Sequence, residues 1–160
     1  MSDTSGLTLL GNGGSQYSYE NPTPDILEVF ANQHRNSPYV VGLDCFEFTS
    51  LCPMTGQPDY GKIWIDYVPD QLCVESKSLK LYLVSYRNHG AFHEDCVNTI
   101  ADHLVGKIDP LYIRVFGDFH VRGGIAIKPM VLRKRKGLAP EAKEELRYLF
   151  EAFDRLSNRQ

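Results

Sequence analysis

Cys52 and Asp59 stand seven positions apart in the stretch Phe48-Thr49-Ser50-Leu51-Cys52-Pro53-Met54-Thr55-Gly56-Gln57-Pro58-Asp59. A thiol attacks as its thiolate, which needs some exposure and a favourable electrostatic setting, and a carboxylate close by could give or take the proton that such an attack moves. Two prolines and a glycine inside the stretch bar a helix interior and a central strand. The stretch therefore predicts a shaped connection between two strand-like runs, longer than a tight hairpin turn, presenting side chains at the edge of a sheet. Taken by itself it reads first as Cys52 in the role of a small buried hydrophobe and Asp59 as the turn residue after Pro58.

Three further sites carry residue types suited to recognition. In Val74-Glu75-Ser76-Lys77-Ser78-Leu79-Lys80-Leu81-Tyr82, Glu75 can accept paired hydrogen bonds from an amide-like edge, and Lys77 and Lys80 share one side of a helix, a spacing that suits a phosphate. The same stretch also reads as an amphipathic helix start with a serine cap. His93-Glu94 opens a strongly periodic segment, where a carboxylate either favours the helix N-terminus or binds the N–H edge of a purine-like base. Arg122-Gly123 is a turn with a solvent-facing arginine or a phosphate contact, and Arg133-Lys134-Arg135-Lys136 reads as a solvated loop.

The chain that must position these groups has 160 residues, enough for one domain with a core. Its composition, 42% apolar and 23% charged, is that of a globular protein, and a formal charge of -3 gives no electrostatic case for gripping a nucleic-acid backbone. No apolar run approaches the roughly 20 residues that cross a bilayer, and Met1 to Gly14 has no basic start or apolar middle. The expectation is a cytoplasmic protein in which Cys45, Cys52, Cys73 and Cys96 stay reduced.

Residues 1–22, rich in Gly, Ser, Asn and Thr, predict a flexible or draped arm, and 23–160 a single domain. Residues 25–30 suggest a short helix. Strands are expected at 39–48 and 62–68, a helix at 76–86, where the short run also fits a strand, and a well-defined helix at 92–108 on the stripe Cys96, Val97, Ile100, Ala101, Leu104, Val105 and Ile108. Residues 111–121 alternate strictly and, with 125–132, read as a hairpin around Arg122-Gly123-Gly124. A last helix begins at Pro140 and is expected to bury Leu146, Leu149, Phe150, Phe153 and Leu156. The order is two strands, two helices, two strands and an added helix: an α+β, four-stranded antiparallel sheet with both helices on one face. Its open edges call for pairing or cover, and edge-joined copies in a ring-like homo-oligomer would supply it.

The set Cys52 with Asp59, Glu75-Ser76-Lys77-Ser78-Leu79-Lys80-Leu81-Tyr82, His93-Glu94 and Arg122-Gly123-Gly124 closely resembles the NADPH-dependent 7-cyano-7-deazaguanine reductases, the nitrile reductases of queuosine biosynthesis, in their short single-module form. The resemblance implies the tunnelling fold, in which ββααββ units assemble into rings, two stacked pentamers being one arrangement, with sites between subunits. It implies reduction of a nitrile to an aminomethyl group by two NADPH through a covalent thioimidate on Cys52, with Asp59 as proton donor. Val74, Glu75, Ser76, His93 and Glu94 would bind the deazaguanine, and Lys77, Lys80, Arg122 and Gly123 the NADPH, with no metal. Two rival readings stay open: a zinc-dependent GTP cyclohydrolase of the same fold, using Cys52, His93 and Cys96, and a purine-binding module with an inert Cys52. Cys96 is also the thiol with which Cys52 would form a protective disulfide under oxidation.

Overall fold

Ile113, Val115, Gly117 and Phe119 are buried while the residues between them are half-buried, and this period of two fixes the two faces of the molecule. The computed structural model describes Leu7, Thr8 and residues 16–157. Its elements are a 3₁₀ turn at Pro24–Ile26, β1 at Val29–Ala31, β2 at Val41–Leu51, β3 at Pro58–Val68, β4 at Leu72–Val74, α1 at Ser76–Val84, α2 at His93–Ile108, β5 at Tyr112–Phe119, β6 at Met130–Lys134 and α3 at Pro140–Leu156. β2, β3, β5 and β6 form the expected four-stranded antiparallel sheet, in that order.

One face of the sheet takes α1 and α2. Ile63, Ile65 and Tyr67 of β3 join Leu79, Tyr82, Val97, Ile100, Leu104 and Ile108 in a single core. Each such side chain contributes about 1.5–3 kcal/mol when fully buried, against at most about 0.7 kcal/mol per residue of intrinsic helix preference for ordinary residues. Packing therefore decides that 93–108 is helical. α2 ends at Asp109 in a left-handed conformation, with Pro110 behind it.

The other face carries Trp64 stacked on Phe116, and α3 crosses it through Leu146 and Phe150, packed with Val68, Leu111 and Tyr112. Arg114 fastens this layer: its guanidinium lies over the Phe150 ring and reaches Asp66 at 2.8 Å and Asp154 at 2.6 Å. Leu149 and Phe153 are only partly buried and Leu156 is 82% exposed, so the expected apolar side of α3 is covered over its middle alone.

Four other expectations change. Residues 25–30 are a 3₁₀ turn followed by β1, which pairs with β4, because Phe30 and Val29 lie opposite Cys73 and Val74. The connection after β2 is shorter than expected, since pairing continues to Leu51 opposite Pro58 and leaves only 52–57 outside the ladder. Regular pairing of the last strand starts at Met130, not at Ile125, although single backbone bonds tie Ile127 and Pro129 to β5. The basic run is not a free loop: Arg133 and Lys134 belong to β6, Arg133 binds Asp102, and Arg135 binds Asp70 and Asp109. Of the expected arm, 1–6 and 9–15 lie outside the described residues; Tyr17 and Tyr19 lie over Lys80 and Arg87.

Candidate active site

β2 reads as apolar on both parities because a bulge interrupts it. The register shifts between Cys45 and Phe48, so that Phe46 and Glu47 are both exposed and Phe48 and Ser50 turn into the core. That shift brings the end of β2 to Leu51 with Cys52 directly beyond it. Cys52 is held from both sides: its N–H donates to the Gln57 carbonyl and its carbonyl accepts from the Gly56 N–H, each at 2.9 Å. Gly56 makes this closure possible with φ of +67°, a conformation costly for residues with a Cβ.

The segment between α1 and α2 locks the same strand end from outside. Leu51 donates to the His89 carbonyl and accepts from the Ala91 N–H, both at 3.0 Å, and Gly90 is pressed against Pro53, where a Cβ would lie 3.3 Å from Pro53 Cα. This pairing delivers the start of α2, and with it His93, to the β2–β3 end.

Asp59 stands opposite Ser50 in the hairpin and is 3% exposed. Its Oδ1 takes a hydrogen bond from Arg122 Nη1 and lies 3.5 Å from His93 Nε2. The second separation is an ion-pair distance only, and Nε2 makes no hydrogen bond. The His93 ring leans on Phe119, centroids 4.1 Å apart. The Arg122 guanidinium also favours the Cys52 thiolate.

The sulfur itself is acidified. Donation by the Thr55 hydroxyl, then by the Met54 and Thr55 N–H groups, with a further contribution from Arg122, lowers the Cys52 thiol to about 7 against a smaller opposing effect of burial. Cys96 is the contrast: burial pushes its thiol up to about 12, although the Ser50 hydroxyl beside it pulls the other way. Both are free thiols. Among the described residues no group of three or more His, Cys, Asp and Glu side chains is arranged to hold a metal ion.

One chain thus gathers Cys52, Asp59, His93 and Arg122, with Glu94 exposed beside His93 and Gly123 in the turn after Arg122. The remaining candidates lie elsewhere, around the start of α1. Val74 packs in the core, and its N–H donates to the Tyr67 hydroxyl at 3.2 Å. Glu75 caps α1, its carboxylate accepting from the Lys77 N–H at 2.8 Å and the Ser78 N–H at 2.7 Å, so the cap is Glu75 and not a serine. Ser76 and Lys80 line a groove of about 460 Å³ against Leu43 to Phe48 of β2, and Lys77 is half-buried beside it. Sequence reasoning missed Thr55, although its place three residues after Cys52 in a turn was there to be read, and it treated Arg122 only as an anion contact.

An α+β fold with helices on both faces of its sheet that sets an acidified thiol near a buried, arginine-bound carboxylate at the end of a hairpin defines a class of protein: one equipped for covalent attack by sulfur with proton transfer alongside. Residues 58–137 match the family model described as QueF-like protein. The chain is 53% identical over 148 residues to the NADPH-dependent 7-cyano-7-deazaguanine reductase of Bacillus subtilis (strain 168), covering 92% of this chain and 89% of the relative. It is 58% identical over 123 residues to the protein of the same name from Streptococcus thermophilus (strain ATCC BAA-491 / LMD-9), covering 77% of this chain and 75% of that one. The crystal structure of the archaeosine synthase QueF-Like in the apo form shares the fold, with a TM-score of 0.57 and 21% sequence identity over 65% of this chain and 99% of that one. The chain belongs to the QueF-like family.

Proposed function

We propose that this protein reduces the nitrile of 7-cyano-7-deazaguanine to the aminomethyl group with NADPH, in the biosynthesis of the queuosine of modified tRNA. The observation that carries the reading is the pairing of an acidified Cys52 thiol with the buried Asp59 carboxylate through one guanidinium. A nitrile carbon is a poor hydride acceptor. Addition of the Cys52 thiolate forms a C–S bond, the displaced π pair goes to nitrogen, and nitrogen takes a proton, giving a thioimidate that is far more easily reduced.

In this reading Asp59 takes the proton that the Cys52 thiol gives up and donates it to that nitrogen, with His93 Nε2 3.5 Å from the same carboxylate oxygen that Arg122 binds. Glu94 and His93 hold the deazaguanine edge, with Val74, Glu75 and Ser76 completing the base pocket. The exposed Lys80 and the half-buried Lys77 and Arg122 fit a phosphorylated dinucleotide as cationic contacts, with Gly123 beside Arg122. When bound, NADPH supplies the two hydrides. After the first, the C–S bond breaks, sulfur recovers its electron pair and an imine remains for the second.

The base and cofactor residues on α1 and the thiol at the end of β2 form two groups within one chain, and a second copy docked along a sheet edge would bring them together. A ring-like homo-oligomer with sites between subunits follows, acting in the cytoplasm, where its thiols stay reduced. Among the described residues no helix is long and apolar enough to cross a membrane. The test is mass spectrometry of the protein with the cyano compound and no NADPH. A covalent adduct lost in Cys52→Ala supports the reading, and an unmodified mass under conditions of demonstrated turnover removes it.

A further inference from the structure

Arg114, Arg122, Arg133, Arg135 and Arg147 each bind a carboxylate, so their charge is compensated within the fold. Arg87 is different. It stands exposed just beyond the end of α1 and makes no ion pair among the described residues; its guanidinium lies over the Tyr19 ring, 5.9 Å from the centroid. Lys80 is held in the same way over Tyr17 at 5.5 Å. The two rings stack on each other, centroids 6.2 Å apart, and the Asn88 N–H donates to the Tyr19 carbonyl at 2.7 Å, which fastens the segment that carries them to the end of α1. An aromatic face steadies a cation without cancelling its charge. Both charges therefore stay available to an anion.

Lys80 and Arg87 border one continuous groove. Lys80 lines the cavity of about 460 Å³ already described and Arg87 a second of about 390 Å³, and the two share Phe46, Glu47, Phe48 and Val84 as walls. Asp44 and Glu47 line the groove from β2, so its cationic side is the α1 side. The turn bonds from Ser85, Tyr86 and Arg87 back to Leu81, Leu83 and Val84 continue the coil of α1. At a helical rise of about 1.5 Å per residue, the seven positions from Lys80 to Arg87 span about 10 Å. NADPH presents phosphate on both sides of one ribose, as the pyrophosphate at the 5′ carbon and a single phosphate at the 2′ carbon, so two long cationic side chains at this spacing can take one each.

We propose that Arg87 grips the 2′-phosphate of NADPH while Lys80 takes the pyrophosphate, so that Arg87 is the residue by which this protein prefers NADPH to NADH. The proposal rests on the reading of the protein as an NADPH-dependent reductase. A guanidinium offers a phosphate paired N–H donors and a full opposite charge, and the 2′-hydroxyl of NADH can answer neither in the same way. With the adenosine end at Arg87, the nicotinamide lies beyond Lys80, toward Lys77 and Ser76, where the proposed base contacts begin. Tyr19 is a positioning residue in this arrangement: its ring holds the guanidinium beside the groove before the cofactor arrives.

Two readouts on the full-length protein test it. In steady-state kinetics at saturating nitrile, Arg87→Gln is expected to raise KM for NADPH roughly ten- to hundredfold and to leave KM for NADH and kcat nearly unchanged. An equal change for both cofactors, or none for either, overturns the proposal. The second readout needs no nitrile: isothermal titration with adenosine 2′,5′-bisphosphate and with 5′-AMP. The wild type is expected to bind the bisphosphate more tightly and Arg87→Gln to lose that advantage; equal binding of the two nucleotides by the wild type, or an advantage kept in Arg87→Gln, overturns the proposal. Tyr19→Phe is expected to keep the advantage and Tyr19→Leu to lose part of it, and an equal loss in both removes the positioning role of the ring. Should the wild type turn over no nitrile, the reductase reading falls while the titrations still decide the role of Arg87.

Discussion

The Arg122 guanidinium donates to the Asp59 carboxylate and also favours the Cys52 thiolate, so a single cation acts on both halves of the proposed chemistry. An arginine shared in this way constrains the carboxylate more than the thiol, because Asp59 is buried and Cys52 is partly open. If Asp59 supplies the proton, Asp59→Asn is expected to retain substrate binding and to lose roughly 10²- to 10⁴-fold in NADPH oxidation, the usual weight of a positioned acid. Isothermal titration for binding and absorbance of NADPH for turnover separate the two effects. Turnover at the wild-type rate would take Asp59 out of the mechanism.

The thiols should divide by pH. Cys52 is acidified to about 7, so its thiolate forms as pH rises through neutrality and labelling is half-maximal there, below the value of about 8.5 for an ordinary thiol. Cys96, held up at about 12, is expected to stay unlabelled over the same range. Peptide mapping after iodoacetamide pulses at stepped pH checks both. Arg122→Met should move the Cys52 midpoint upward, since the guanidinium favours the thiolate.

A polar chain inside the helical layer offers a stability test. The Tyr82 hydroxyl bonds the Tyr86 hydroxyl at 2.9 Å and His103 Nδ1 at 2.8 Å, and burial pushes both tyrosines up and His103 down. Tyr82→Phe strands two partners at once and is expected to cost about 1–3 kcal/mol. Urea unfolding should show an earlier midpoint with an unchanged slope. A midpoint equal to wild type would mean that the partners find replacements.

Lys80 stands exposed at the mouth of the α1–β2 groove. As a phosphate contact its loss in Lys80→Met is expected to raise KM for NADPH roughly five- to tenfold, about 1–1.4 kcal/mol, with kcat nearly unchanged. Steady-state kinetics in NADPH at saturating nitrile gives the split. An unaltered KM would assign Lys80 to the Tyr17 ring over which it lies.

What the sequence disclosed follows from how local each signal is. The alternation of 112–119 and the apolar stripe of 93–108 are written residue by residue, and both elements stand where they were expected. β1 and β4 went unseen because each is three residues long and exists only by pairing with the other across more than forty positions. The bulge at Phe46 and Glu47 scrambles the period of β2, since a one-residue insertion exchanges the faces of everything after it. At the site, Cys52 and Asp59 were legible as types and spacing. The bond from Arg122 to Asp59 was not, because it joins positions 63 apart and depends on the hairpin register. Glu75 shows the opposite limit: its residue type was plain, while the cap its carboxylate makes on the first turn of α1 was read as a serine's.

The short ladder that Leu51 makes with residues 89–91 has one more implication. It turns the link between the two core helices into a ruler, measured from Ser85 to Phe92, whose length sets how far the start of α2 reaches over the hairpin end. Adding or deleting a residue there would leave both helices intact and still carry the imidazole of position 93 away from the carboxylate of position 59. Chimeras that exchange this link must therefore keep its length even where they change every side chain in it.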